Sequence, residues 1–155
     1  MPGSSLEVAA SGGAGEPSAD APKELKLDVP SDLGFLEEAV ELFARHCVEA
    51  GVPPESSRFK LKVALCEALQ NAMIYGNKLD HAKMVRVEAV VEDGNVTISV
   101  ADEGEGFDPE EMPDPTTPGK LQLPDGRGLF VIQQLADEVR FNDRGNCIWM
   151  VLRHS

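Results

Sequence analysis

Three short stretches of this chain carry side chains whose types and spacing can do chemistry. In the first, Glu67 and Asn71 stand four residues apart within a run that continues into Ala72. On a helix that spacing stacks a carboxylate and a carboxamide on one face. Val63, Ala64, Leu65, Cys66, Ala68, Leu69, Met73 and Ile74 make the rest of this helix apolar nearly all the way round. A helix of that kind is expected to be sandwiched inside the protein, so its polar pair needs partners. Those partners are either a loop that supplies an internal hydrogen bond or a bound ligand. The second stretch follows a predicted strand and reads Asp102, Glu103, Gly104, Glu105, Gly106, Phe107. Glycines at 104 and 106 let the backbone approach a planar or phosphorylated ligand without a Cβ in the way. Asp102 can accept a hydrogen bond from an exocyclic amine. That would take adenine and reject guanine, whose O6 would face the carboxylate acceptor to acceptor. A plain glycine turn with solvated acids uses the same residues. The third stretch, Gly126, Arg127, Gly128 and Leu129, opens a predicted helix. Unshared N–H groups and the helix dipole make such a start an anion site, and Arg127 could add a charge-assisted contact to phosphate. Its alternative is an ordinary glycine-containing connection.

The elements that must position these residues follow from periodicity. Leu25, Leu27 and Val29 alternate as in a strand. Ser31 is placed to cap the next helix, with Asp32 in its first turn. Phe35, Leu36, Ala39, Val40, Phe43, Ala44, Cys47 and Val48 recur at helical spacing up to Gly51. A second helix is expected over 57–75, closed by a left-handed cap at Gly76 and Asn77. Val85, Val87, Ala89, Val91 and then Val96, Ile98, Val100 read as two strands, joined through Asp93-Gly94 as a hairpin. Residues 108–125 hold Pro109, Pro113, Pro115, Pro118 and Pro124, which leaves only a loop. A helix over 129–138 and strands over 139–143 and 147–152 complete the order β-α-α-β-β-loop-α-β-β. That order predicts an α+β two-layer sandwich, a mostly antiparallel mixed sheet with about three helices on one face. Residues 1–24, rich in Gly, Ser, Ala and Pro, read as a disordered tail ahead of a domain at 25–155.

Composition narrows the function classes. Across 155 residues there are 27 acidic and 14 basic side chains, a formal net charge of −13. With its basic residues scattered singly, such a chain is repelled by nucleic-acid phosphates, whereas a basic protein partner is compatible. No apolar run approaches the roughly 18 residues of a membrane span, and the first residues lack the charge and apolar core of a signal peptide. The cysteines Cys47, Cys66 and Cys147 show no CxxC spacing and read as reduced thiols of a cytoplasmic protein.

Taken in order, ExxxNA on a buried helix, DxGxGF after a hairpin strand and GxGL at the next helix resemble the pattern of the GHKL ATPase superfamily. The likeness covers about residues 25–155. Within it, the stretch from Asn71 to Asn77 and the run from Gly126 to Phe141 look most like the bacterial anti-sigma-factor serine/threonine kinases. These resemble the ATP-binding half of a histidine kinase. The resemblance implies ATP and Mg²⁺ as cofactors, with Glu67 as general base and Asn71 on the metal. It implies Asp102 reading adenine and Gly104 and Gly106 shaping that end of the pocket. Gly126, Arg127, Gly128 and Leu129 would close round the phosphates, and residues 108–125 would form a lid over ATP. Many relatives carry Thr where this chain has Asn146. The implied partners are a STAS-type anti-anti-sigma protein, which would be phosphorylated, and a sigma factor or other regulatory target, which would be sequestered. A homodimer through an exposed sheet edge near 25–29 is implied as well, with no direct nucleic-acid or membrane contact. The alternative is a non-catalytic ATP-binding module that holds a protein partner without phosphotransfer.

Overall fold

A computed structural model describes residues 6–11, 23–104, 124–142 and 145–153. Gly106, Phe107 and most of the expected lid lie outside the described residues. Six strands form one sheet in the order β1-β2-β3-β4-β6-β5, and every neighbouring pair is antiparallel. The strands are β1 (Ala9–Ser11), β2 (Lys23–Pro30), β3 (Met84–Glu92), β4 (Asn95–Ala101), β5 (Glu138–Phe141) and β6 (Cys147–Leu152).

Alternation sets the register. One buried row crosses the sheet through Leu25, Ala89, Ile98, Met150 and Val139, and the next through Leu27, Val87, Val100 and Ile148. A slip of one residue would turn each apolar row to the other face. The β3–β4 hairpin closes through Asp93 at φ 55° and Gly94 at φ 82°. Both central residues therefore adopt the left-handed conformation that suits a two-residue turn between twisted strands.

Three longer helices are α1 (Leu36–Glu49), α3 (Lys62–Asn71) and α4 (Pro124–Leu135), and a single turn, α2 (Pro54–Ser56), leads towards α3. The middle helix, α3, packs against both α1 and α4 and reaches β4. It buries Ala64, Leu65, Ala68 and Leu69, while α1 buries Ala39, Val40, Phe43, Ala44 and Cys47. Phe43 is fully enclosed. Phe43→Ala should destabilise the fold by about 3–5 kcal/mol, read as a lower denaturant midpoint at unchanged slope.

Four expectations need correction. Residues 9–11, inside the segment expected to be disordered, form β1 and pair with Glu24, Leu25 and Lys26. Over those residues the β2 edge is therefore covered rather than exposed. Ser31 does not cap a helix. The cap is Asp32, whose carboxylate accepts from the Gly34 N–H at 2.9 Å and opens a 3-10 turn, Leu33–Phe35, before α1. The second helix does not close left-handedly at Gly76-Asn77. Asn77 keeps a right-handed φ of −92°, and the left-handed residues are Lys78 and Leu79 at φ 54° and 57°. Finally, α4 starts at Pro124 rather than near residue 129. Proline suits the first turn of a helix, where its missing N–H leaves no gap in the ladder.

Candidate functional site

The helix carrying Glu67 and Asn71 is not a uniform α-helix. A π-helical turn, Ser57–Leu61, precedes α3 and another, Ala72–Gly76, follows it. The second is closed by the Asn77 N–H donating to the Ala72 carbonyl at 2.8 Å. One extra residue in a turn rotates everything beyond it by about 100° round the axis. Beyond this turn the helix end meets the segment after β4.

That end receives Asp102. The Asp102 carboxylate lies so close to Gly76 that a Cβ there would stand 2.3 Å from its Cγ. A Cβ on Gly104 would stand 2.1 Å from the Gly76 carbonyl oxygen. Gly104 is therefore packed on Gly76 backbone to backbone, with the Asp102 carboxylate against Gly76, and a side chain at either glycine would push the segment away. Oδ1 of Asp102 accepts from the Gly104 N–H at 2.8 Å. No other hydrogen bond to this carboxylate is made among the described residues, so Oδ2 is left as an acceptor. Burial raises the Asp102 pKa above the usual carboxylate range, while the Gly104 N–H and the charge of Lys83 pull it back.

The post-β4 segment is held at three consecutive amides. Asp102 N–H donates to the Asn146 carbonyl at 2.9 Å, Glu103 N–H to Asn77 Oδ1 at 2.8 Å, and Gly104 N–H to Asp102 itself. The Glu103 carboxylate accepts from the Met84 N–H at 2.6 Å. Asn146 supports this segment through its main-chain oxygen and through Nδ2, which donates to the Gly104 carbonyl at 3.3 Å. Its side chain makes no hydrogen bond to the Asp102 carboxylate. Asn146 is itself fixed by Asn142, whose amide donates to Asn146 Oδ1 at 2.7 Å and accepts from the Asn146 N–H at 3.0 Å.

Glu67 and Asn71 are half-buried on α3. Among the described residues neither side chain has a hydrogen-bond or ion-pair partner. The internal bond to a loop, one of the two readings of this pair, is thus not made by any described loop. From Asn71 to Gly76 the axis advances by about 7 Å, so the free amide stands little more than one turn from the floor on which Asp102 rests.

The backbone of Gly126, Arg127, Gly128 and Leu129 runs inside α4, which packs on α3. A helix that starts at Pro124 has its unshared N–H groups at Asp125 and Gly126, while Gly128 and Leu129 lie within the hydrogen-bonded ladder. The anion-binding start therefore falls a few residues earlier than the glycine spacing suggests. Burial raises all three thiols: Cys47 to about 12, Cys147 to about 11 with help from the charges of Glu88 and Asp102, and Cys66 with help from Glu67. None is a thiolate nucleophile at neutral pH.

Residues missed by pattern reading are Ser31, Gly76, Asn77 and Glu103. Ser31 and Gly76-Asn77 both carried a signal, and in each case it pointed to a helix cap rather than to a junction.

An open antiparallel sheet with helices on one face, and an acceptor carboxylate resting on the end of a helix whose acid and amide have no partner among the described residues, define a class. Residues 29–152 match the family described as histidine kinase-like ATPase domain, and the chain belongs to that family. It is similar to an anti-sigma F factor of Geobacillus stearothermophilus, 35% identical over 105 residues that cover 64% of this chain and 72% of the relative. An anti-sigma F factor of Clostridium perfringens is 32% identical over 134 residues, 80% of this chain and 96% of the relative. The serine-protein kinase RsbW of Oceanobacillus iheyensis is 29% identical over 100 residues, 61% of this chain and 63% of the relative. Among the described residues no helix is long and apolar enough to cross a membrane.

The residues present fit ATP. Among the described residues Asp102 has an unfilled acceptor beside a glycine floor, as an exocyclic amine requires, and Asn71 an unpartnered amide oxygen of the hard kind that suits Mg²⁺.

Proposed function

We propose that this protein is an ATP-dependent anti-sigma-factor serine/threonine kinase of a partner-switching module. It phosphorylates a STAS-type anti-anti-sigma antagonist and, when free of that antagonist, sequesters a sigma factor in the cytoplasm. The observation that carries the reading is the pair Glu67 and Asn71, half-buried and without described partners on the helix whose end seats Asp102. The names of the relatives, anti-sigma F factor and serine-protein kinase, support the regulatory and catalytic halves in turn.

In this reading Asp102 Oδ2 accepts from the adenine amine, with Gly104 and Gly106 giving the base room. Asn71 would hold Mg²⁺, which would supply charge neutralisation at the phosphates. The start of α4, where the N–H groups of Asp125 and Gly126 are unshared within the helix, closes on the phosphates, with Arg127 adding its charge. The Glu67 carboxylate takes the proton from a serine or threonine hydroxyl of the antagonist as its oxygen bonds to the γ-phosphorus. The bond from that phosphorus to the β–γ bridging oxygen breaks, and ADP leaves.

The test is transfer of labelled phosphate from Mg-ATP to STAS proteins encoded beside this one, with the acceptor hydroxyl located by mass spectrometry. Phosphoserine or phosphothreonine on one of them is expected; no transfer to any of them sinks the kinase reading. The acidic make-up of 108–125, with Asp108, Glu110, Glu111, Asp114 and Asp125 against Lys120 alone, favours a second reading in which nucleotide sets shape without turnover. There, Glu67→Ala would leave the regulatory effect intact.

A further inference from the structure

Asn77 joins four separate segments of the chain at one buried point. It is only 1% exposed. Its Nδ2 donates to Ser31 Oγ at 2.7 Å, at the end of β2, and to the Met84 carbonyl at 3.1 Å, at the start of β3. Its Oδ1 accepts from the Glu103 N–H at 2.8 Å, and its own N–H closes the π turn that ends the α3 helix. Ser31 completes the junction by donating to the Lys83 carbonyl at 2.9 Å. All three side-chain bonds of Asn77 cross between elements, so their main effect is on where those elements sit relative to one another.

One of these bonds bears directly on the proposed base site. Of the three amides that hold the post-β4 segment, the middle one, Glu103 N–H, has Asn77 as its acceptor. The residue before it is Asp102. The residue before Asn77 is Gly76, whose missing Cβ is what lets the Asp102 carboxylate lie against the helix end. We infer that Gly76 and Asn77 together are positioning residues for base selection: Asn77 sets the height of the Asp102–Gly104 backbone, and Gly76 sets the seat of the carboxylate. This rests on the reading of Asp102 as the adenine acceptor. Neither residue touches nucleotide; both act through Asp102.

A misplaced acceptor changes discrimination between bases more than it changes binding of the phosphates. The probes are therefore ATP and purine riboside triphosphate, which lacks the exocyclic amine, with binding measured by calorimetry in the presence of Mg²⁺. For the unaltered protein ATP should bind more tightly by roughly 100-fold or more. In Asn77→Ala and in Gly76→Ala the ratio should fall below roughly 10-fold, through loss of ATP affinity, while the analogue binds as before. Ser31→Ala is the matched control. It removes a partner of Asn77 but leaves the bonds to Met84 and Glu103, so it should lower the melting temperature and keep the ratio. If Asn77→Ala does not fold, Gly76→Ala alone decides. Folded variants that keep the full ratio overturn the inference. An unaltered protein that does not prefer ATP overturns the Asp102 reading itself, and the inference with it.

Discussion

Glu67→Ala is expected to lower the rate of phosphate transfer by roughly 100- to 10,000-fold, the usual contribution of a positioned general base. Affinity for ATP should change little. The carboxylate is half-buried on α3 and has no partner among the described residues, so removing it strands none of them and leaves the helix contacts of Ala64, Leu65, Ala68 and Leu69 in place. Alanine is also the better helix former, so the fold is not weakened locally. The experiment is single-turnover transfer to the STAS acceptor, with nucleotide binding titrated separately. A variant that transfers at the normal rate removes Glu67 from the chemistry. One that also loses ATP makes Glu67 a binding residue instead. Asn71→Ala should differ, losing Mg²⁺-dependent affinity and transfer together.

The second large effect is at Asp102, where binding and stability should move in opposite directions. In Asp102→Asn the Gly104 N–H still needs an acceptor and holds Oδ1. The new Nδ2 then takes the place of Oδ2 and faces the adenine amine donor to donor. ATP affinity should fall roughly 10- to 100-fold. The nucleotide-free protein, by contrast, should become more stable at pH 7. Burial raises the folded pKa of Asp102, whereas the unfolded carboxyl titrates near its ordinary value of about 3.9. Between those two values the folded state holds the extra proton, so stability falls as pH rises, and above the folded value the whole penalty is present. Asparagine carries no charge and removes that penalty. Melting curves from pH 4 to pH 7 should show a higher melting temperature for the variant at the neutral end and convergence at the acidic end. A variant less stable than the unaltered protein at pH 7 would show that the ionised carboxylate is well compensated in the free state.

Both effects depend on features that differ in how far they could be read from the residues alone. Alternation of Val85, Val87, Ala89 and Val91 specifies β3 to the residue, because a half-buried strand has only one face to offer the core. Asp93-Gly94 specifies the hairpin, because few other pairs accept positive φ at both positions. The apolar spacing of α1 and the stacking of Glu67 on Asn71 are equally local. These patterns repeat over two or four residues, and burial of one face is sufficient to enforce them.

The junction at Asn77 is of another kind. Its partners lie 46 residues before it, at Ser31, and 26 after it, at Glu103, and no local period connects them. The π turn at Ala72–Gly76 was hidden as well, since no periodicity in its own residues marks the Asn77 N–H to Ala72 carbonyl bond that closes it. Ser31 looked like a cap because caps and buried junctions use the same hydroxyl, and only its Asn77 partner distinguishes them. β1 had no signal because three small residues gain a ladder only from a strand already in place. Local sequence alone thus determined the strands from β2 onward, the body of the three longer helices and the residue types with chemical capacity. Packing of distant segments decided where Asp102 rests, since a side chain's seat depends on backbone brought from elsewhere in the chain.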